Sequence, residues 1–323
     1  MNIEIGSIAY YLPENIESGL ELKRDNVDWN IDKIEEKTGI KTRYISNDGQ
    51  TALDMSVIAA NFLFQNKVNP KDIDFLIFVT QSPEYILPTT ACLLQDKLGL
   101  SKSCIAFDVN LGCSGFVYGL SIGGSLIESG LAKSGLLVCS DTYSKYINKN
   151  DRTCRPLFSD GASVTHLKYS SNPRVGPFEL GTDGSGANNL IIPHGGARAP
   201  AHSLKELHMS GADVFMFSMY AVPNCVKSLL DKANLEMEDI DLFVFHQASK
   251  FVIDNIVRKL NIPNENFFVN YEDVGNTVSA SIPIALCSAN KAGILNKGDR
   301  VMAVGFGVGY SWGACIIEWN ANF

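Results

Sequence analysis

One cysteine lies where the sequence favours a reactive thiol. Cys113 follows an apolar stretch and comes directly before a long run of small residues, 115 to about 129, that predicts a helix. The unsatisfied amides at the start of such a helix favour an anion, so we expect a lowered thiol pKa and a nucleophilic Cys113. The alternative is a small buried cysteine. We give that second interpretation to the other seven cysteines, which are Cys92, Cys104, Cys139, Cys154, Cys225, Cys287 and Cys315.

Two further residues are of types that can act beside a thiol. His246 ends the apolar run 242–245, and ligands bind at the carboxyl ends of strands in parallel sheets. A packed, hydrogen-bonded core histidine is the alternative. Asn276 follows Gly275, a pair that by itself indicates only a turn. The Asn276 amide never titrates, however, and it can donate a hydrogen bond to developing negative charge.

An internal repeat relates these residues to one another. The segment 72–78 returns as 239–245, and a Lys-Leu pair and a glycine-bounded segment then recur in the same order. The spacing is too long for a solenoid, whose repeats run to tens of residues. The repeat instead predicts two homologous halves packed about a pseudo-twofold axis, with Cys113 and Asn276 at related places.

Short apolar runs alternate with amphipathic stretches of helical length. The apolar runs are expected to be buried strands, and they are residues 75–80, 135–139, 242–245 and 301–305. The amphipathic stretches are expected to be helices, and they are residues 52–65, 90–98, 222–233 and 250–260. This alternation predicts an α/β fold of two duplicated βαβαβ halves, with mainly parallel sheets and right-handed crossovers.

The turn-rich residues 170–173 mark the expected boundary between the halves. The N-terminal half, 1–172, carries the cysteine nucleophile, and the C-terminal half, 173–323, carries the histidine and the asparagine. Residues 182–211 are irregular, and we expect a functional loop or cap there because structureless loops of that length are otherwise uncommon.

Composition and charge narrow the class of protein. The 46% hydrophobic and 19% charged residues are typical of a globular protein, and the net charge of −8 makes nucleic acid an unexpected partner. The glycine-containing apolar run 301–317 predicts strands around a turn and not a membrane span. The first residues do not resemble a signal peptide, and the cysteines lack framework spacing, so we expect a reducing, cytoplasmic location.

Neither a metal nor a cofactor is expected. His194, His202 and His208 lack close ligand spacing, and no Cys-x-x-Cys motif occurs. The glycines of 305–309 do not form a phosphate loop, because no Lys-Ser/Thr follows them.

Several short segments carry a resemblance to a known family. They are Gly-Cys-Ser-Gly-Phe (112–116), His-Gln-Ala (246–248), Gly-Asn-Thr (275–277) and the glycine-rich segment 305–313, supported by 158–162 and 183–185. In order and spacing they resemble the β-ketoacyl-acyl carrier protein synthase III family of the thiolase superfamily, over essentially the whole chain. The resemblance implies a thiolase-like fold and catalytic roles for Cys113, His246 and Asn276. It also implies an oxyanion hole made by the backbone N–H groups of Cys113 and Val308.

The resemblance implies a two-step acyl transfer. An acyl thioester of coenzyme A or acyl carrier protein would load Cys113, and malonyl-acyl carrier protein would then lose carbon dioxide and condense with the acyl group. Family members are typically homodimers, in which residues 85–88 of one subunit line the acyl pocket of the other. Two alternatives remain open: acyl transfer to an oxygen, nitrogen or other carbon nucleophile, and a non-catalytic scaffold, against which the three retained polar residues argue.

The substrate-binding positions depart from the family pattern. Lys33 and Lys37 stand where the best-known bacterial members carry a tryptophan and an arginine that hold coenzyme A, and Phe251 replaces another nucleotide-contacting arginine. Arg152 remains. Because lysine supplies neither an aromatic platform nor bidentate contacts, coenzyme A thioesters are not expected to be the preferred donor.

Two further groups of residues are expected to contact substrates. Lys250, Arg258 and Lys259 form either a basic patch for an acidic carrier protein or a solvated helix face. Leu87 and Phe215 are expected to line the acyl pocket. Leu87 stands where a bulky aromatic residue often closes the family's pocket, so a longer or branched acyl primer is expected.

Overall fold

The structure is a computed structural model that describes residues 1–65, 68–200 and 206–321. The strands are β1 (Ile3–Tyr11), β2 (Asn15–Ser18), β3 (Thr42–Ile45), β4 (Phe75–Val79), β5 (Ile105–Val109), β6 (Ser134–Asp141), β7 (Gly161–Tyr169), β8 (Val175–Thr182), β9 (Leu190–Ile191), β10 (His208–Met209), β11 (Leu242–Phe245), β12 (Arg300–Gly307) and β13 (Ser311–Glu318). The helices are α1 (Gly19–Asp25), α2 (Ile31–Thr38), α3 (Ala52–Gln65), α4 (Thr90–Lys97), α5 (Gly115–Glu128), α6 (Gly211–Ala233), α7 (Lys250–Leu260), α8 (Tyr271–Val274) and α9 (Ser281–Lys291).

Two central sheets repeat one strand order. The first is ordered β1-β7-β6-β4-β5 and the second β8-β13-β12-β11. Each strand of the second sheet therefore occupies the place of a strand of the first. The place of β5 is marked in the second half by a single parallel bridge between Phe243 and Phe267. The duplicated α/β fold predicted from the sequence repeat is confirmed.

The sheets are mixed, which corrects the expectation of mainly parallel pairing. β4 runs parallel to β5 and β6, and β11 parallel to β12, whereas β7 and β13 are antiparallel to both of their neighbours. The turn between β12 and β13 shows one reason, since residues 308–310 are too few for a parallel crossover and close a hairpin instead. The run 301–317 thus forms two strands around a glycine turn, as predicted. None of the helices in the described ranges is long and apolar enough to cross a membrane.

The repeated aspartates make equivalent contacts in the two halves. Before β4, the Asp74 N–H donates to Ser134 O (2.9 Å) and Asp74 Oδ2 accepts from the Lys133 N–H (2.7 Å). Before β11, the Asp241 N–H donates to Arg300 O (2.9 Å) and Asp241 Oδ2 accepts from the Arg300 N–H (2.7 Å). In each half this aspartate joins the starts of two neighbouring inner strands, which explains why the motif occurs twice.

Helix α6 is longer than the sequence indicates. The amphipathic pattern predicts a helix that starts at residue 222. α6 instead begins at Gly211 and continues through Pro223. The additional turns bury Ser218 and carry Phe215 to the cavity described below. Helices α3 and α7 have the predicted bounds.

The irregular stretch 182–211 carries little regular structure in its described part. β9 and β10 lie within it and pair antiparallel with each other. Their residues Leu190 and Met209 line the same cavity as Phe215. The stretch therefore contributes one wall of the candidate site.

Helices α5 and α9 form a layer between the two sheets. α5 contacts β4 and β12, while α9 contacts β1 and β11. Buried side chains from both halves meet in this layer, with Phe75 and Phe116 from the first and Ile282 and Trp319 from the second. The boundary near residue 172 falls between β7 and β8, but the halves share one interior, and their division into domains stays a prediction.

The shared interior predicts that the chain unfolds as one unit. Phe116→Ala removes a fully buried ring from the central layer and should lower the free energy of unfolding by about 3–5 kcal/mol. Chemical denaturation followed by circular dichroism and by tryptophan fluorescence should give coincident single transitions. The matched control is Phe62→Ala, since Phe62 is an exposed phenylalanine of α3 and its removal should cost much less. Two separate transitions would contradict a shared core.

Candidate active site

One cavity of about 830 Å³ brings the three predicted polar residues together. Cys113, His246 and Asn276 all line it, and all three are buried. Exposed cationic side chains line the opposite end, Lys33 and Lys37 from α2 and Arg152 from the loop before β7. The cavity therefore runs from a basic mouth to a buried thiol.

Strand β12 of the second half packs directly against the Cys113 turn of the first. A Cβ at Gly307 would lie 2.9 Å from both Cβ and Sγ of Cys113, and a Cβ at Gly305 would lie 2.6 Å from the Cys113 carbonyl oxygen. Real Cβ atoms do not approach other atoms so closely. Only glycine fits at these two positions, so the glycine-rich segment is needed to seat the nucleophile.

Burial raises the pKa of the Cys113 thiol to about 12, and the nearby Asp141 carboxylate acts in the same direction. This direction is opposite to the lowered thiol pKa expected at the start of α5, because loss of hydration outweighs the one favourable backbone hydrogen bond at Cys113. Asp141 is itself buried, and desolvation raises its pKa to about 7 although it accepts hydrogen bonds from Ser279 and Gln81. The resting cysteine is a neutral thiol.

His246 is held at the end of β11 as a neutral imidazole. Its backbone N–H donates to Val304 O (2.8 Å), and its Nδ1 lies 2.6 Å from Ser281 Oγ. Ser281 Oγ also accepts from the Gln247 N–H (3.4 Å) and has one proton that it can donate to Nδ1. With that donation the imidazole proton lies on Nε2, which is the tautomer that the proposal below uses. Burial lowers the pKa of His246 to about 3, which keeps the ring uncharged.

Asn276 is oriented by its main chain and by its own side-chain oxygen. Its N–H donates to Leu157 O (3.0 Å), and its carbonyl accepts from the Ser159 N–H (2.8 Å). The side-chain Oδ1 accepts from the Val278 N–H (3.0 Å), which leaves Nδ2 as the donor. Val278 adopts φ of 54°, a strained conformation for a β-branched residue, and this tight turn brings its amide under Asn276.

The two amides expected to form an oxyanion hole lie in turns on either side of the thiol. Val308 is in the turn between β12 and β13, and it packs against the cluster that contains Cys113. Its carbonyl accepts from Ser311 Oγ (2.7 Å). Within the described chain, neither the Cys113 nor the Val308 N–H donates to a backbone carbonyl. Both amides can therefore accept a new partner, and their role stays a prediction.

The remaining predicted residues divide between the cavity and the surface. Phe215 lines the cavity, whereas Leu87 is 80% exposed and does not line the cavity of its own chain. Lys250 forms an ion pair with Asp254, and Lys259 Nζ donates to Met219 O (2.8 Å). Lys250, Arg258 and Lys259 all lie outside the cavity lining, so a carrier-binding role for them is untested.

Phe251 lies in the cavity wall, a place that the sequence did not indicate. It was expected to mark a lost arginine contact, but the residue lines the cavity and its ring lies 4.9 Å from that of Phe215. The Lys37 ammonium lies 5.4 Å from the centre of the Phe251 ring. An aromatic surface is therefore present at the mouth, supplied by α6 and α7.

Sequence reasoning also missed the residues that hold the polar groups in place. Ser281, Val278 and Asp141 were not singled out, because a serine, a valine and an aspartate in apolar surroundings carry no distinctive pattern. Phe158 was part of a recognised segment, and it contributes a ring next to the thiol. In the sequence, the glycines at 305 and 307 were the one signal that a backbone packs closely against the site.

Across residues 1–65, 68–200 and 206–321, no three or more His, Cys, Asp or Glu side chains are placed to hold an ion. The expectation that the protein uses no metal or cofactor stays a prediction, and His202 lies outside the described residues.

The high thiol pKa predicts a distinctive pH dependence of alkylation. At pH 8 nearly all Cys113 should be the neutral thiol, so its reaction with iodoacetamide should be slow and should still accelerate, by up to about tenfold per pH unit, between pH 8 and pH 10. Peptide mass spectrometry gives the rate at Cys113 separately from the partly exposed Cys92, and Cys113→Ala identifies the signal. A rate that levels off below pH 8 would mean that the Cys113 thiol pKa lies below 8, and this would contradict a pKa raised by burial.

Comparison with known proteins gives one consistent family. Residues 107–184 match the model of 3-oxoacyl-[acyl-carrier-protein (ACP)] synthase III, and residues 230–319 match the model of its C-terminal part. The chain is 38% identical to a β-ketoacyl-[acyl-carrier-protein] synthase III of Clostridium perfringens, with 98% of this chain and 99% of the relative covered.

Solved structures agree with this match. A 2.1 Å crystal structure of a 3-oxoacyl-(acyl-carrier-protein) synthase III is 42% identical, with a TM-score of 0.96 over 99% of this chain and 100% of that one. The synthase III of Pseudomonas aeruginosa is 31% identical, with a TM-score of 0.93 and complete coverage of both chains (100% each). The chain therefore belongs to the 3-oxoacyl-[acyl-carrier-protein] synthase III family, and it is an acyltransferase with a thiolase-like fold.

Proposed function

We propose that Cys113 carries an acyl group and that His246 and Asn276 activate a malonyl thioester to condense with it. The observation that carries this proposal is the orientation of three buried groups toward one cavity. They are a thiol, an imidazole Nε2–H and an amide Nδ2, each set by the contacts described above. Two neutral donors beside a nucleophile suit a reaction in which negative charge develops on oxygen.

The first step loads the enzyme. The Cys113 sulfur attacks the carbonyl of an acyl thioester, a new carbon–sulfur bond forms, and the bond to the carrier thiol breaks. The Cys113 proton leaves with the released carrier thiol, so atoms and charge balance. The backbone N–H groups of Cys113 and Val308 are the proposed donors to the tetrahedral oxyanion.

The second step makes the carbon–carbon bond. A malonyl thioester loses carbon dioxide, and the enolate oxygen accepts hydrogen bonds from His246 Nε2 and Asn276 Nδ2. The enolate carbon attacks the acyl carbonyl, the carbon–sulfur bond to Cys113 breaks, and the Cys113 thiolate takes up a proton from water as the 3-oxoacyl thioester departs. Since burial keeps His246 neutral, it acts as a hydrogen-bond donor and not as a charged acid.

The mouth suits a donor that ends in phosphates. Lys33, Lys37 and Arg152 supply positive charge at the cavity entrance, as a phosphate-bearing arm requires. The ring pair Phe215 and Phe251 offers a surface on which a base could stack. The sequence led us to expect weak coenzyme A binding because Lys33 supplies no aromatic platform, but this ring pair provides one. We therefore propose that the chain accepts coenzyme A as well as carrier-protein thioesters.

Family membership and the intact site favour condensation over the two alternatives raised by the sequence. No contact of the described residues favours transfer to an oxygen or nitrogen nucleophile, and a scaffold would not need an oriented imidazole and amide.

All eight cysteines are free thiols, which supports a reducing location such as the cytoplasm.

We also propose a homodimer. β5 lies at one edge of the first sheet and pairs with β4 alone among the described strands, so its other side is open. In the loop between β4 and α4, Tyr85, Ile86 and Leu87 expose apolar side chains in succession, with Ile86 85% exposed. An open strand edge and an exposed apolar loop both favour association with a second copy.

Variants at the histidine and the asparagine should separate the two steps. His246→Ala and Asn276→Asp should still gain the mass of an acyl group, but release of carbon dioxide from malonyl-acyl carrier protein should fall by at least about a hundredfold, because a donor to the enolate is lost. Intact-protein mass and a carbon dioxide assay measure the two steps. The matched controls are Cys113→Ala, which should not load, and His208→Ala, a change at an exposed histidine of β10. Undiminished condensation in Asn276→Asp would refute the proposed role.

The dimer has its own test. Light scattering should give the wild type about twice the chain mass of 35.3 kDa and Ile86→Asp a mass near that of a single chain, because a buried charge disfavours the contact. Leu20→Asp places the same charge at an equally exposed residue (81%) of α1 and should leave the dimer intact. A wild type that is monomeric at micromolar concentration would refute this interface.

A further inference from the structure

We propose that a buried ion network of Arg43, Glu17 and Arg155 positions two groups of the active site. Both arginines are positioning residues. Arg43 holds the backbone that orients Asn276. Arg155 holds the loop that carries Arg152. This inference rests on the proposed function, since the roles of Asn276 and Arg152 belong to it. It adds that condensation and donor binding depend on separate contacts of one network.

The network lies between the two-stranded β2–β3 sheet and the loop before β7. Glu17 and Arg43 face each other across the two strands, and Arg43 Nη2 lies 2.6 Å from Glu17 Oε2. The other carboxylate oxygen of Glu17 meets Arg155 Nη2, which also lies 2.7 Å from Asp25 Oδ2 of α1. Arg43 is 2% exposed and Arg155 is 8% exposed. Because buried charges are costly unless they are paired, these side chains hold one another in fixed places.

Arg43 supports the backbone that pairs with Asn276. Its Nη1 donates to the first carbonyl oxygen of segment 155–159. Further along this segment, Leu157 O accepts from the Asn276 N–H (3.0 Å), and the Ser159 N–H donates to Asn276 O (2.8 Å). The segment and Asn276 therefore form a short parallel bridge, and Arg43 anchors the end of the segment that comes before it.

The same arginine packs beside the turn that precedes Asn276. A Cβ at Gly275 would lie 3.1 Å from Arg43 Cγ. Next to Arg43 on β3, the Tyr44 N–H donates to Ser159 Oγ (3.0 Å). The β2–β3 sheet thus holds both the Asn276 turn and the segment that pairs with it. Without Arg43, a buried carbonyl would lose its partner and Asn276 would lose part of its support.

Arg155 closes the loop that carries Arg152. Its Nη1 donates to Lys149 O (2.8 Å), and its backbone N–H donates to Asp151 O (3.0 Å). These contacts draw residues 149–155 into a compact turn, with Arg152 in the middle and at the cavity mouth. The ion pairs of the Arg155 guanidinium then attach this turn to β2 and α1. The place of the mouth arginine is therefore set by a buried one.

The test separates the two arginines by the half-reaction that each affects. The variants are Arg43→Met and Arg155→Met, in which Glu17 keeps the other arginine as its partner, so no buried carboxylate is left unpaired. Acyl-enzyme formation from acetyl-coenzyme A is followed by intact-protein mass at several donor concentrations. Release of carbon dioxide from malonyl-acyl carrier protein is then measured with enzyme that is already loaded.

The two variants should give opposite patterns. Arg43→Met should lower the condensation rate at least about tenfold and change the KM for acetyl-coenzyme A by less than about twofold, because only Asn276 loses support. Arg155→Met should raise that KM at least about fivefold and leave the loading rate at saturating donor within about twofold, because Arg152 is no longer held at the mouth. A purely structural role would lower all rates together and leave the KM unchanged.

The matched control is Arg174→Met. Arg174 also bridges two carboxylates, those of Glu4 and Glu318, but it lies outside the cavity lining. Its loss should leave both half-reactions unchanged. If a methionine variant at position 43 or 155 does not fold, lysine at the same position keeps the charge. Its single nitrogen cannot reproduce the forked contacts of a guanidinium, so it should shift the same quantity in the same direction.

Two results would overturn the proposal. One is that the variants at Arg43 and Arg155 lower loading and condensation in equal proportion with an unchanged KM. The other is that they change neither half-reaction. Absence of loading or of condensation in the wild type would instead refute the proposed function itself, so the two failures are distinguishable.

Discussion

The close contact between strand β12 and the Cys113 turn is the constraint on which the site depends. Gly305 and Gly307 of the second half let a strand backbone approach the nucleophile of the first half to a distance that no side chain would permit. Cys113 and Gly307, which meet at this contact, both line the cavity. The duplicated sheets, the layer of α5 and α9 and the hairpin after β12 all serve to bring these two backbones together.

The electrostatics of the site follow from the same burial. A thiol with a raised pKa, an imidazole with a lowered pKa and an amide that never titrates form a site whose three principal groups are neutral at rest. Negative charge then arises only during reaction, at oxygen atoms for which oriented donors are already in place. Ser281 and the Val278 amide fix those donors by hydrogen bonds that do not involve the substrate. The protein thus prepares the site through dipole orientation and not through fixed charge.

Much of the fold could be predicted from the sequence because the relevant signals are local and periodic. The repeat with its Asp-Ile-Asp motif predicted two equivalent halves, and the apolar runs predicted the inner strands β4, β6, β11 and β12. The antiparallel positions of β7 and β13 could not be predicted, since strand direction depends on which neighbour a strand meets and not on its own composition. The start of α6 was missed because Pro223, favoured at a helix start, here lies inside a helix whose buried face outweighs the lost hydrogen bond.

The sequence by itself determined the chemical groups and their pairing across the repeat: Cys113 and Asn276 at equivalent places, His246 at a strand end, and glycines where backbones must touch. The tertiary structure alone decided the protonation state and direction of those groups. The Cys113 pKa depends on how much water burial removes, the orientation of the His246 ring depends on its hydrogen bond with Ser281, and the walls around the thiol depend on Tyr143 and Phe158. These properties are set by neighbours distant in the chain, and the free energy of a charge or hydrogen bond depends on all of its surroundings at once.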